Sequence, residues 1–343
     1  MRILIAYPGP THSTYDVAAG YEKALRALGH TVYGYPYHKW LNFYGESLKH
    51  WEGIYPGYVH NSGDTSLHSS EKLIIAACEF VPEAVLIVSG TVLHAHAYTL
   101  LHNLNLPILL LLTESPYEDK TQQKIVDGGG LFHAFTNERL SVERLGANGV
   151  PVSYLPHSYD PEIHRPIETT DEHASDVFFH GTLWSERAEL FEPLQRLPYD
   201  VRFSGVSAAR MRDSEGALVD NVDMAKLYNG AAICLNHHRT TKSMAVEDHI
   251  ELCEASSIGP RAYEIAACGA FQLCDDTRTE LWEVFGHSVP TYTDADDLVA
   301  RIEYFMSQPL ERQRLADLAR LRVQGCTFEN RAIEFIEPIL RRL

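Results

Sequence analysis

At 343 residues, with 45% hydrophobic and 22% charged side chains, the chain is long enough for two hydrophobic cores and too apolar for a disordered protein. The net charge of −17 is uneven: residues 1–157 carry 10 Lys+Arg against 14 Asp+Glu, and the rest carry 19 against 32. An acidic chain of this kind is a poor non-specific binder of nucleic acid, and no apolar run approaches the roughly 20 residues that span a bilayer.

The chain opens with Arg2-Ile3-Leu4-Ile5-Ala6-Tyr7, halted by Pro8-Gly9-Pro10. The run is too short for a signal-peptide core and predicts a buried first strand in a cytoplasmic protein. Further strands are expected at 31–35, 84–88, 107–112, 131–135 and 152–154, with amphipathic stretches such as 15–28 and 67–80 between them. Continuous apolar strands alternating with helices imply a parallel sheet covered on both faces, with ligands at the carboxyl ends of the strands. Residues 35–64 interrupt this rhythm with aromatics and histidines, Trp40, Phe43, Tyr44 and Trp51 among them. Such an insertion either packs its own rings in a helical element or offers them as an acceptor wall.

Pro151, Pro156, Pro161 and Pro166 mark a linker, after which the alternation resumes. Strands are expected at 176–180, 200–204, 231–235 and 270–274. Helices are expected at 185–197, 222–229 and 260–268, and then from Asp294, Leu310 and Glu329. The pattern is α/β: two successive Rossmann-like doubly wound domains, 1–158 and 159–327, followed by a helix at 328–343. Cys78, Cys234, Cys253, Cys268, Cys274 and Cys326 form no C-x-x-C pair and read as reduced core thiols.

The most informative segment is Ile258-Gly259-Pro260-Arg261-Ala262-Tyr263-Glu264-Ile265-Ala266-Ala267-Cys268-Gly269. Pro260 suits a first helical position and Gly269 a C-terminal cap, so a short helix starts at Gly259. Its free N–H groups can hold an anion such as a pyrophosphate, Arg261 adds charge, and Glu264 can accept hydrogen bonds from a ribose diol. On spacing alone, an ordinary capped helix with a solvated Glu264 is the better reading. His94 and His96 stand two apart and cannot share a helix face, which argues against a paired metal site. Asp294-Ala295-Asp296 reads as a helix start, not as a strand-end metal–diphosphate motif. No metal and no cofactor are expected.

Residues 258–275 resemble the helix–Gly–strand signature of GT-B glycosyltransferases, nearest to the spore-maturation-protein-like (CgeB-like) branch related to glycosyltransferase families 1 and 4. Other pieces follow in the same order: Phe135-Thr136-Asn137-Glu138-Arg139, Tyr154-Leu155-Pro156-His157, Phe179-His180-Gly181-Thr182, Cys234-Leu235-Asn236, and Phe328-Glu329-Asn330-Arg331. The likeness runs from about Leu109 to the C-terminus. It implies two domains facing across a cleft, a last helix that packs back on the first domain, and a nucleotide-sugar donor, UDP- or GDP-linked, on the second.

Carried onto matching positions, the resemblance assigns the ribose to Glu264 with Tyr263 beside it, and the pyrophosphate to Gly259 and Arg261. It sets Gly181 and Thr182 beside the phosphates and Asn236 near the donor. Arg239 and Lys242 neutralise the leaving diphosphate, with Arg187 a competitor for that role or simply a surface helix residue. Thr113-Glu114-Ser115-Pro116-Tyr117 resembles the family's acidic-Pro-Tyr turn, and makes Glu114 a base or acceptor ligand. His12 is a second candidate base, or merely a loop histidine before a helix. Thr11, Ser13, His94, Trp40 and Trp51 complete the acceptor side. Many retaining members carry a second Glu eight residues before the ribose Glu, where this chain has Ser256. The expectation is a metal-independent glycosyltransferase with an unnamed acceptor. The alternatives are an idle nucleotide-sugar-binding protein and an epimerase or phosphorylase on the same scaffold.

Overall fold

The computed structural model describes residues 1–9, 13–205, 214–215, 219–239 and 254–343. The chain divides into two compact units, Met1–Pro156 with Phe328–Leu343, and His157–Thr327.

The first unit is built on six parallel strands: β1 (Arg2–Ala6), β2 (Thr31–Tyr35), β3 (Ala84–Val88), β4 (Ile108–Leu112), β5 (Leu131–Thr136) and β6 (Val152–Tyr154). Their order is β2-β1-β3-β4-β5-β6. Both faces are covered, and the two-residue period of a strand sorts its side chains between them. Ile3 and Ile5 enter one core with Ala18 and Leu25 of α1 (Ser13–Ala27). Leu4 and Ala6 enter the opposite core with Leu73 and Ala77 of α3 (Ser62–Phe80) and Leu101 of α4 (Ala95–Asn103).

The aromatic insertion is helical. Residues 37–52 form α2 (Tyr37–Glu52), and α3 begins at Ser62, five residues before the expected 67, because Asn61 caps it by accepting the Asp64 N–H. Two shorter helices follow, α5 (Asp119–Asp127) and α6 (Ser141–Leu145).

The last residues, α13 (Phe328–Arg331), a π-turn Ala332–Ile336 and α14 (Glu337–Leu340), lie in the first unit. Ala332, Ile336 and Leu340 complete the core beside α1. Phe328 meets Tyr21 edge-on at 5.1 Å. A Cβ on Gly20 would come within 2.4 Å of the Phe328 ring, so the absence of a side chain there permits the contact.

The second unit holds β7 (Ser175–His180), β8 (Val201–Ser204), β9 (Ser214–Glu215), β10 (Ala231–Asn236), β11 (Gln272–Asp275) and β12 (Thr291–Tyr292). These are also parallel, in the order β12-β11-β10-β7-β8-β9. Helices α7 (Ser185–Phe191), α8 (Asn221–Gly230), α9 (Pro260–Ala267), α10 (Thr279–Phe285), α11 (Ala295–Met306) and α12 (Pro309–Val323) flank the sheet. Asp294 caps α11 through the Asp297 N–H, the helix start its sequence predicts. The two-residue strands β9 and β12 add to those expected and are too short to leave a periodic signal. No described helix is long and apolar enough to cross a membrane.

Both strand orders reverse direction once, between β1 and β3 and between β7 and β10. Open parallel sheets bind ligands outside the carboxyl ends of the strands at such switch points.

Candidate functional site

At the second unit's switch point, β7 runs into Gly181-Thr182 and β10 into His237-His238. Gly181 (φ +143°) and Gly205 (φ +117°) adopt backbone angles that other residues rarely reach. A Cβ on Gly205 would lie 2.7 Å from the Gly181 carbonyl oxygen, and one on Gly181 would lie 2.7 Å from the Arg261 guanidinium. The two glycines let a charged group and bare backbone approach closely at the strand ends.

Arg187, expected as an exposed helix residue or a phosphate ligand, is buried. Its Nη1 donates to the Thr182 carbonyl at 2.9 Å and its Nη2 to the His237 carbonyl at 2.6 Å, which straps together the segments that follow β7 and β10. Its buried Nε has no hydrogen-bond acceptor among the described residues. The guanidinium carbons of Arg187 and Arg261 lie 5.5 and 5.3 Å from the centre of the Phe179 ring. Among the described residues no carboxylate pairs with either.

The electrostatic signature of this pair extends outward. Burial, with the Arg261 charge adding to it, pushes the Arg187 pKa down to about 9. Burial and then Arg261 push His180 down to about 3, so it is neutral at physiological pH. Asp275 and Glu186 offset part of this charge without bonding to either guanidinium, so two cations on one ring still form a place that an anion would relieve.

Helix α9 presents less free backbone than expected. The Gly259 N–H goes to His238 Nε2 at 3.2 Å, Pro260 has none, and the Ala262 N–H closes on the Gly259 carbonyl. The Arg261 N–H remains, without an acceptor among the described residues. Glu264 stands three residues further along the same side, half-buried, its carboxylate without a hydrogen bond or ion pair among the described residues. Tyr263 corrects the expectation of a donor contact: it is fully buried and packs with Ala262, Ala266 and Phe285. The helical period that turns Arg261 and Glu264 outward turns Tyr263 into the core. Asn236, at the end of β10, is buried and donates to Gln272 Oε1 at 3.4 Å across β10 and β11. Arg239 is half-buried, and its carbonyl accepts from Arg278. Lys242 lies outside the described residues.

Beneath α9 sits a cluster the sequence reading missed. His238 Nδ1 stands 2.9 Å from Asp275 Oδ1, which also accepts the His238 N–H at 2.7 Å, and Thr277 Oγ1 donates to Asp275 Oδ2. A carboxylate accepts only and a backbone N–H donates only. His238 is therefore the neutral tautomer with its proton on Nδ1 and a bare Nε2 toward Gly259. Burial would raise the Asp275 carboxyl, but the hydrogen bonds it accepts from His238 and Thr277 hold it well below the usual carboxylate range.

Cys274 Sγ lies 3.8 Å from His238 Nδ1 and 3.9 Å from Asp275 Oδ1, a grouping that could hold a metal ion. The donor set does not fit one. Nδ1 bound to metal would leave the proton on Nε2, pointing at the Gly259 N–H. Burial first, and Asp275 next, also keep the Cys274 thiol protonated by raising its pKa well above normal.

The first unit's candidates come from separate elements. Glu114 follows β4, half-buried, with its N–H donating to Gln122 Oε1 at 3.1 Å. His94 is the N-cap of α4 and accepts the His96 N–H on Nδ1 at 3.2 Å. Trp40 is half-buried against the core, with the Lys72 ammonium 5.5 Å from its ring, whereas Trp51 is 49% exposed. Thr11 and His12 lie outside the described residues, and Ser13 contributes its backbone to the start of α1.

Residues 187–337 match the family described as Glycosyl transferase-like. The chain is 25% identical to spore protein CgeB of Bacillus subtilis (strain 168) over 248 residues, 69% of this chain and 76% of that protein. In fold it is similar to sucrose-phosphate synthase (tll1590) from Thermosynechococcus elongatus, with a TM-score of 0.67 and 12% identity over 99% of this chain and 98% of that one. Anabaena Alr3699/HepE, solved in complex with UDP-glucose, gives 0.66 at 12% identity over the whole of both chains. Residues 187–337 are thus similar to glycosyltransferases, the chain has the GT-B fold, and over 69% of its length it is similar to spore protein CgeB.

Proposed function

We propose that the enzyme transfers a sugar from a nucleoside diphosphate sugar to an acceptor hydroxyl without a catalytic metal, and that the donor's diphosphate sits at the Phe179 arginine pair. The observation that carries this reading is the two guanidinium groups on one ring, one of them buried, with no carboxylate bonded to either among the described residues. Arg261 and its free N–H meet the phosphates, Arg187 fixes the carbonyls that frame them, and the unpaired Glu264 accepts the ribose hydroxyls. The HepE complexes favour a UDP-linked donor.

In transfer, the bond from the anomeric carbon to the phosphate oxygen breaks with its electron pair on the diphosphate. The acceptor oxygen bonds to that carbon. Its proton passes to Glu114 or His12, or to the departing phosphate. The fixed positive charges stabilise the leaving group as its charge develops, the task a metal ion performs elsewhere.

The test is turnover of a panel of nucleotide sugars, following released nucleotide and sugar products separately, with and without chelator. Nucleotide release that survives chelation and matches sugar transfer supports the reading. A dependence on added metal removes its metal-independent part. Tight binding with no release of either product favours an idle nucleotide-sugar-binding protein, for which Ser256 in place of a second carboxylate is the specific argument.

A further inference from the structure

The two N–H groups that lead into α9 are both taken by side chains. Glu280 Oε2 accepts from Ile258 at 2.8 Å, while the Glu280 N–H holds the Ser256 carbonyl at 3.0 Å. His238 Nε2 accepts from Gly259. His238 is itself buried and held at three points: its backbone N–H and Nδ1–H both bond to Asp275, and its ring edge stands 4.0 Å from where a Gly259 Cβ would be. Asp275 is in turn fixed by Thr277 on its other oxygen. The chain of contacts runs from the end of β11, through the residue two beyond β10, to the residue just before the helix that carries Arg261 and Glu264.

We propose that His238 is a positioning residue for the donor: held by Asp275 as the Nδ1–H tautomer, it accepts the Gly259 N–H and so sets the place of Arg261 and Glu264 against the nucleotide. The proposal rests on the donor-site reading above. His238 touches neither phosphate nor sugar in this role. What it supplies is an acceptor at one fixed point, without which the Gly259 N–H would lack a partner and the first turn of α9 could shift. The carboxylate beyond it chooses the tautomer, as the outer partner of a functional histidine does elsewhere.

Nitrogen–proton correlation spectra of the histidine rings in the full chain read the tautomer directly. A protonated Nδ1 and a bare Nε2 are expected at His238, and a protonated Nε2 overturns the proposal. Two variants then separate the bonds. His238→Asn keeps a donor where Nδ1 stands but offers nothing to Gly259, whereas His238→Gln places a carbonyl oxygen where Nε2 stands. By calorimetry with UDP, His238→Asn is expected to bind about threefold to tenfold more weakly than the wild type, with His238→Gln recovering most of the loss. Equal UDP affinity in a folded His238→Asn protein overturns the positioning role and leaves the donor site standing. A wild-type protein that binds no UDP defeats the donor-site reading instead. The Gly259 amide resonance then decides whether His238 places α9: it must move in His238→Asn and return in His238→Gln, and an unmoved resonance overturns the proposal.

Discussion

Arg261→Ala is expected to weaken nucleotide binding without weakening the free protein. Arg261 and Arg187 lie 5.3 and 5.5 Å from the centre of one ring, so their guanidinium carbons are no more than about 11 Å apart. Like charges at that separation repel by about 1.5 kcal/mol at an effective dielectric constant near 20. Partial exposure of Arg261 and salt bring this to roughly 1 kcal/mol. The lost ring contact is worth about 0.5–1 kcal/mol in the opposite sense. The two nearly cancel, so the thermal midpoint of the free variant should stay within about 2 °C of wild type or rise slightly. Binding has no such offset. A charge-assisted hydrogen bond to phosphate contributes about 1.5–3 kcal/mol, so UDP affinity should fall roughly tenfold to 150-fold. Titration calorimetry with UDP and scanning calorimetry of the free protein measure the two halves. Unchanged affinity in a folded variant refutes the anion site. A midpoint lowered by more than about 5 °C refutes the argument that the arginine pair is unrelieved in the free protein.

Neighbouring residues on α9 should behave oppositely: Glu264→Ala weakens UDP binding about tenfold to a hundredfold with little change in stability, whereas Tyr263→Ala costs about 3–5 kcal/mol of stability. Equal thermal midpoints for the two variants would contradict the facing described for this helix. Trp51→Ala should leave the midpoint within about 1 °C because the ring is half in water, and Trp40→Ala should lower it by several degrees. If the insertion serves the acceptor, Trp51→Ala raises the acceptor KM alone, and an unaltered KM removes that role. Glu114→Gln lowers kcat by about a hundredfold if Glu114 takes the acceptor proton, and an unchanged kcat moves the base elsewhere.

Stability should also decline between pH 6.5 and 4. Burial, with neighbouring charges in lesser parts, holds His180 near 3 and His237 and His157 near 4. The unfolded chain therefore binds protons first as pH falls below about 6.5, at a cost on the order of 1–2 kcal/mol per histidine by pH 5. Asp275, depressed instead, keeps its full contribution until pH falls through about 3.9. Thermal midpoints at pH 7.5 and 5 that coincide would show these rings to be exposed.

The strands were legible as short runs rich in apolar, β-branched and aromatic residues: residues 31–35, 84–88 and 152–154 are strands at the bounds their sequences predict. Pro260 likewise marks the first residue of α9. The site was less legible. Glu264 and Arg261 could be singled out because helical spacing is written in one short segment. That same segment could not reveal that Gly259 is already engaged, since its partner, His238, lies 21 residues earlier. Arg187 looked like a surface residue because its two acceptors are backbone carbonyls, which leave no trace in a sequence. Phe179 and Asp275 had a usable signal, their places at the ends of strands beside the switch point, but only once the strand order was known. Tyr263 was misplaced because adjacent residues on a helix point about 100° apart, which turns it from the side of Glu264 into the core.

The return of residues 328–343 to the first sheet bears on how the enzyme is made. Ala332, Ile336 and Leu340 complete a face that α1 covers in part and that also holds Ile3, Ile5 and Leu86, so the remainder stays uncovered until the chain has been synthesised through the whole of the second unit. Residues 157–327 take about ten to thirty seconds to translate at ordinary rates. For that interval the nascent first unit shows the ribosome's surroundings a strip of bare aliphatic side chains, and the second unit, continuous in sequence, is free to finish folding before it.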